Sequence, residues 1–360
     1  MRENQAHTTF RPFVAGGCLV ALIAALTTGC SGGSTSSGRA GASGKAAVSS
    51  TAGAAERPAA SDARRGCLPA GDPAASVAGG YGVGRITTTL VDRSRPTNAD
   101  PTRHLLRKPT RTIPVTISYP TVRTGSATAV PGAPAAPGRF PLVVLSHGVT
   151  ANGSVTAALS EPFVRAGYVV ATPTFPLSSG PTGNISDLPN QPADVSFVIT
   201  SMTTFDQRSG TPLTGHLAAS CVAIAGHSLG AATTLAAAYL SCCRDARVKA
   251  VISMSGILAP FSGTFADAPP IPVLLLHGDQ DLTVPIMYSQ RAFATLRGPR
   301  YFVTLHGANH TSIFAPPAAA VLGHSVISFL DDYLKGDGTQ LRALPSYVRR
   351  SGVASLLTAP

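Results

Sequence analysis

The 360-residue sequence contains no tryptophan, and aromatic residues make up only 6% of it. Sugar-binding sites lean on large aromatic faces, so this scarcity disfavours carbohydrate stacking. Six cysteines are too few and too scattered for a disulfide mini-scaffold or a zinc array. No segment recurs with a period of roughly 20–50 residues, which argues against a solenoid or propeller. The one long apolar run, Phe13 to Leu26, is too short for a confident membrane span. Charged residues are 12% of the chain, but 44% hydrophobic content is too much for a wholly disordered protein.

The charge that is present is uneven. The formal net charge is +11, and residues 1–140 hold 16 Lys and Arg against 6 Asp and Glu. Residues 141–360 hold 12 against 11. There is no stripe of basic residues interleaved with aromatics, so no nucleic-acid partner is expected. The basic part reads either as a solvated tail or as a segment lying against an anionic membrane surface. Residues 1–29 have the layout of an export signal: Arg2 and Arg11, then the apolar run, then Thr27-Thr28-Gly29-Cys30. Small residues before a cysteine resemble the bacterial lipobox, which implies lipidation at Cys30 and anchoring on the outer side of the cell membrane. Simple secretion is the alternative. From Cys30 to residue 80 the chain is rich in Ser, Gly, Ala and Pro and reads as a disordered tether.

Residues 81–340 read as one folded domain, with 341–360 as a C-terminal tail. Residues 85–91 and 111–119 are β-branched and partly alternating, which predicts two antiparallel or edge strands. Beyond Arg139 the strand candidates become solid apolar runs: 141–145, 168–171, 221–225, 248–252, 271–276 and 301–305. Helices are expected at roughly 154–166, 190–204, 229–243, 285–296 and 316–334. Continuous apolar strands alternating with helices predict an α/β fold, a mostly parallel central sheet with helices on both faces.

Gly226-His227-Ser228-Leu229-Gly230 matches G-x-S-x-G. Gly29 to Gly33 matches it too, so the motif alone is weak. Context separates them: Ser228 follows a buried-type strand and precedes an Ala-rich helix, the turn that presents a serine nucleophile. A serine hydroxyl needs a general base, and the base needs an orienting carboxylate. After the run 271–276 come Asp279 and Asp281, and Asp281 opens Asp-x-x-Val-Pro. After the run 301–305 come His306 and His310. Asp281 and His310 are favoured as acid and base, with Asp279 as a loop cap. His227, His277 and His324 read as structural. Backbone N–H groups of Leu229 and Val149 are the expected oxyanion donors, with Gly148 one step from Val149. Gly256 to Phe261 and Phe175-Pro176-Leu177 follow strand ends. Ile257, Leu258, Phe261 and Phe175 are therefore candidate walls of an apolar acyl site. The chemistry requires neither metal nor organic cofactor.

These ordered motifs resemble the α/β-hydrolase-fold serine esterases and lipases. The branch is the one holding platelet-activating-factor acetylhydrolase-like, chlorophyllase-like and cutinase-like enzymes. The resemblance covers roughly 81–335 and includes Ser146-His147-Gly148 and Asp187 to Asp194. It implies hydrolysis of carboxylic esters through an acyl-enzyme. An exported acyltransferase with the same triad and an alcohol acceptor, or a non-catalytic binder on the same fold, are the alternatives.

Four cysteines remain. Export would let them oxidise. The helix after Ser228 runs back toward Cys221, so a bridge from Cys221 to Cys242 or Cys243 is expected, with Cys67 paired to the other.

Overall fold

The computed structural model describes residues 66–68, 80–122, 128–265 and 267–360. The expected signal, Cys30 and most of the tether lie outside them. Among the described residues ten strands form one sheet in the order β10-β9-β8-β7-β6-β4-β5-β2-β1-β3. The strands are β1 Gly82–Asp92, β2 Arg111–Thr121, β3 Val130–Pro131, β4 Phe140–Ser146 and β5 Val169–Pro173, then β6 Leu217–His227, β7 Val248–Met254, β8 Val273–Gly278, β9 Arg300–Leu305 and β10 Ala354–Ala359. The central run from β5 through β4, β6, β7 and β8 to β9 is parallel. β1 pairs antiparallel with β2, as the alternating opening segments predicted, and β2 also pairs antiparallel with β5.

The helices are α1 Gly153–Leu159, α2 Glu161–Arg165, α3 Gln191–Gln207, α4 Leu229–Tyr239, α5 Met287–Thr295, α6 Ala318–Leu330 and α7 Thr339–Ser351. Side chains alternate across a strand, so each central strand feeds two cores. Strands β4 and β6 illustrate this: Leu142, Val144, Val222 and Ile224 pack with α3 and α4, including Val198, Leu235 and Tyr239. Val143, Leu145, Ala223 and Ala225 face the opposite way, onto Phe163, Val321 and Phe329. Both faces being covered is why these strands are solid apolar runs.

Two expectations are corrected. Residues 341–360 are not a tail. They lie in α7 and in β10, which pairs antiparallel with β9 and closes that edge of the sheet. The cysteines pair as Cys67–Cys221 and Cys242–Cys243. The reason is strand parity. Cys221 shares its face with Ala223 and Ala225, whereas α4, which leads to Cys242, covers the other face. Cys67 reaches Cys221 from the α6 side, where its N–H donates to Leu334 O. Among the described residues no helix is long and apolar enough to cross a membrane.

Candidate active site

The sheet's C-terminal edge gathers the singled-out residues. Ser228 sits between β6 and α4 with φ 55° and ψ −121°. A side chain in that region costs about 1–3 kcal/mol, so the surroundings must hold it. They do so by close approach. A Cβ on Gly226 would strike the Gly230 carbonyl, and one on Gly230 would strike those of Ser146 and His147. The two glycines of the motif thus let the turn and the β4 loop meet. Ser228 N–H donates to Met254 O at 3.0 Å, tying the turn to β7.

The β4 loop lies directly against the serine. A Cβ on Gly148 would stand 3.2 Å from Ser228 Cβ. His147 holds this loop. Its Nε2 accepts from Phe175 N–H at 3.0 Å, so its proton sits on Nδ1, which donates to Gly148 O at 2.7 Å. Burial pushes His147 down to about 4, with the Gly148 bond working the other way. Thr150 N–H is engaged by Ser178 O. Among the described residues the N–H groups of Val149 and Leu229 have no hydrogen-bond partner.

Two Asp–His pairs form, and their settings separate them. Asp279 Oδ2 meets His306 Nδ1 at 2.9 Å, with the side chains 30% and 47% exposed. Asp281 Oδ2 meets His310 Nδ1 at 2.7 Å, with the carboxylate wholly buried. Only the second pair borders the elbow. His227 Nε2 donates to His310 O at 2.9 Å, and the two rings lie 4.6 Å apart. Burial pushes Asp281 up. Hydrogen bonds from His277, His310 and the Val284 N–H outweigh it and hold the carboxyl well below its usual range. Burial, with His310 alongside, pushes His227 down to about 3. The Ser228 hydroxyl makes no hydrogen bond among the described residues. Such contacts commonly tighten only when substrate is bound.

The four apolar walls fare differently. Phe175 is wholly buried, its ring 5.0 Å from that of His147. It is a core residue supporting the β4 loop, and this corrects its placement as a ligand wall. Leu258 packs on the core cluster beneath it. Ile257 and Phe261 are half-buried. A groove of about 180 Å³ lies elsewhere, between α1–α2 and α6, lined by residues that include Leu159, Phe163, Phe314 and Leu322. Phe314 also packs edge-on against His227, 5.0 Å between ring centroids. Sequence reading missed Phe314, whose one signal is its position four residues after His310. His277, which the sequence reads as structural, also contacts Asp281. Among the described residues no group of His, Cys, Asp or Glu is arranged to hold a metal ion.

Residues 136–313 match the family model Abhydrolase_2, described as Phospholipase/Carboxylesterase. A search of curated proteins gives no match. Among solved structures the chain is similar to a ferulic acid esterase from Streptomyces cinnamoneus. That likeness has 24% identity and a TM-score of 0.59, and covers 78% of this chain and 97% of the other. The structural likeness shows the α/β-hydrolase fold, and the family match makes the chain a carboxylic ester hydrolase.

Proposed function

We infer that this carboxylic ester hydrolase acts through Ser228 as nucleophile, His310 as general base and Asp281 as the carboxylate orienting that base. One observation carries the reading: a half-buried His310 paired to a wholly buried Asp281 borders a serine held at φ 55° beside the unengaged N–H groups of Leu229 and Val149. Ser228 Oγ attacks the ester carbonyl as His310 Nε2 takes its proton. The oxyanion is received by the N–H groups of Leu229 and Val149. The C–O bond to the alcohol breaks, and His310 returns the proton to the departing oxygen. Water then repeats the sequence on the acyl-enzyme, freeing acid and Ser228.

We propose an apolar acyl ester as substrate. Support comes from Leu282, 84% exposed immediately after Asp281, from Met287 at 44%, and from the apolar groove that Phe314 helps to line. We also propose export with a lipid anchor at Cys30. The pairing of all four described cysteines is consistent with an oxidising compartment. The mass of the mature N-terminal peptide decides that point.

The test of the triad is fluorophosphonate labelling of the full chain, beside Ser228→Ala. Labelling should vanish in the variant, with kcat on p-nitrophenyl esters falling roughly 10⁴–10⁶-fold. Persistent labelling in Ser228→Ala, or none in the folded wild type, would overturn the reading.

A further inference from the structure

Asp281 carries a second histidine. His277 ends β8, wholly buried, and its Nε2 lies 3.2 Å from Asp281 Oδ2 and 2.7 Å from Val284 O. Its Nδ1 lies 2.7 Å from the hydroxyl of Ser289, a buried residue of α5. A backbone carbonyl and an ionised carboxylate only accept. Nε2 therefore carries a proton, and Nδ1 faces the Ser289 hydroxyl, which also reaches Gly256 O at 3.3 Å. Asp281 is thereby fully occupied. Its Oδ1 takes the N–H groups of Thr283 and Val284 at 2.9 and 2.8 Å. Its Oδ2 takes His310, and His277 Nε2, bonded to Val284 O, stands 3.2 Å from the same oxygen.

We propose that His277 is a positioning residue for the hydrolytic reaction, its Nε2–H fixing Asp281 Oδ2 and tempering the pull of the carboxylate on His310. The proposal rests on the triad reading of Ser228, His310 and Asp281. Structural satisfaction of the His277 ring needs only Val284 O and Ser289, so the contact with Asp281 is additional to its packing. Two consequences follow from simple electrostatics. A carboxylate relieved of one donor is freer to turn, so the base is less well aimed. It is also more basic, so it holds the proton of His310 more tightly and raises the pH at which the base becomes free. The titratable groups near His310 are Asp281 and His277 from the β8 side, His227 from the elbow, and the Asp279–His306 pair on the adjoining turns.

The test measures kcat/KM for a p-nitrophenyl ester against pH in the full chain, with thermal melts alongside. His277→Leu removes the donor, His277→Gln restores an N–H of similar reach, and Ser289→Ala removes the partner of Nδ1 together with that hydroxyl's contact to Gly256 O. His277→Leu should lower kcat roughly 10–100-fold. It should also move the acidic limb upward by about half a pH unit or more. His277→Gln should recover most of both, and Ser289→Ala should shift the limb the same way by less. An unmoved limb in folded His277→Leu, or a Gln variant no better than Leu, overturns the proposal. Should His277→Leu not fold, Ser289→Ala and His277→Gln decide. A wild-type limb in Ser289→Ala, or a limb displaced by half a unit or more in His277→Gln, then overturns it. Failure of Ser228-dependent labelling would instead remove the triad on which the proposal stands, so the two failures are distinguishable.

Discussion

Asp279 and Asp281 stand two residues apart, and each accepts from a histidine of the loop after β9. Hydrogen bonding alone therefore cannot assign the acid. Burial can. A carboxylate with no exposure and four donors interacts in a medium where water screens little. The exposed Asp279–His306 pair contributes about 0–1 kcal/mol at most. Asp281→Asn should consequently lower kcat about 10³–10⁴-fold and also lower the melting temperature, since its NH2 must face donors. Asp279→Asn should stay within a few-fold of wild type. Equal losses in the two variants, measured on the same p-nitrophenyl ester, would sink the assignment. The sequence favoured Asp281 from the Asp-x-x-Val-Pro spacing, and the geometry is consistent with that choice. It reads His277 as structural because a histidine before a glycine at a strand end carries no pattern that distinguishes packing from positioning.

At the scale of elements, the segment from Asp187 into α3 is held by buried charge. Arg111, wholly buried on β2, donates to Asp187 at 3.0 and 2.8 Å and to Asp194 at 2.8 Å through Nε. Arg95 reaches the Asp194 carboxylate at 2.8 Å from the outer side. The same segment supplies Gln191, which donates to Ser178 at 2.8 Å and accepts from Thr233 of α4. The charge cluster thus anchors a strut beneath the helix that carries Ser228. Removing one partner of a buried network leaves uncompensated charge and costs about 3–5 kcal/mol. Arg111→Leu should lose about that much in urea unfolding at neutral pH, and a loss under about 1 kcal/mol would contradict the strut. Elements buried on both sides were legible in the sequence, since β4 to β9 are near-continuous apolar runs. The C-terminal 339–359 was not. Helix α7 contains Pro345 and several arginines, and β10 is an edge strand whose residues alternate between partial and full exposure. Local pattern is weak there because pairing with β9, a long-range contact, makes the strand. The cysteine pairing failed for a related reason: chain direction brought α4 back toward Cys221, but the parity of β6 turned that side chain to the opposite face.

For the molecule as a whole, the same burial that locks the β4 loop makes stability depend on pH. His147 is 1% exposed and cannot take a second proton without losing the bond from Phe175 N–H, and it is pushed down to about 4. In the unfolded chain it titrates near about 6.5. The folded value lies below the unfolded one, so between about 6.5 and 4 the unfolded state binds a proton that the folded state does not. Stability must then fall as pH falls through that window, by up to about 1.4 kcal/mol per pH unit. His227, pushed down to about 3, acts with the same sign. The carboxylates work lower. Asp281, Asp92 and Asp245 have depressed values, so their contribution is complete above about pH 4 and is lost only below it. In the interval from about pH 6.5 to 5 the histidines therefore act with Asp194, which burial raises and which works with the opposite sign. Urea midpoints of the wild type should fall steadily from about pH 7 to 5, whereas His147→Asn, which cannot titrate, should show a flatter profile over the same interval. Parallel profiles would mean that His147 takes up its proton in the folded state. The β4 loop would then be free to loosen in acid without unfolding, and acid would cost activity before it cost stability.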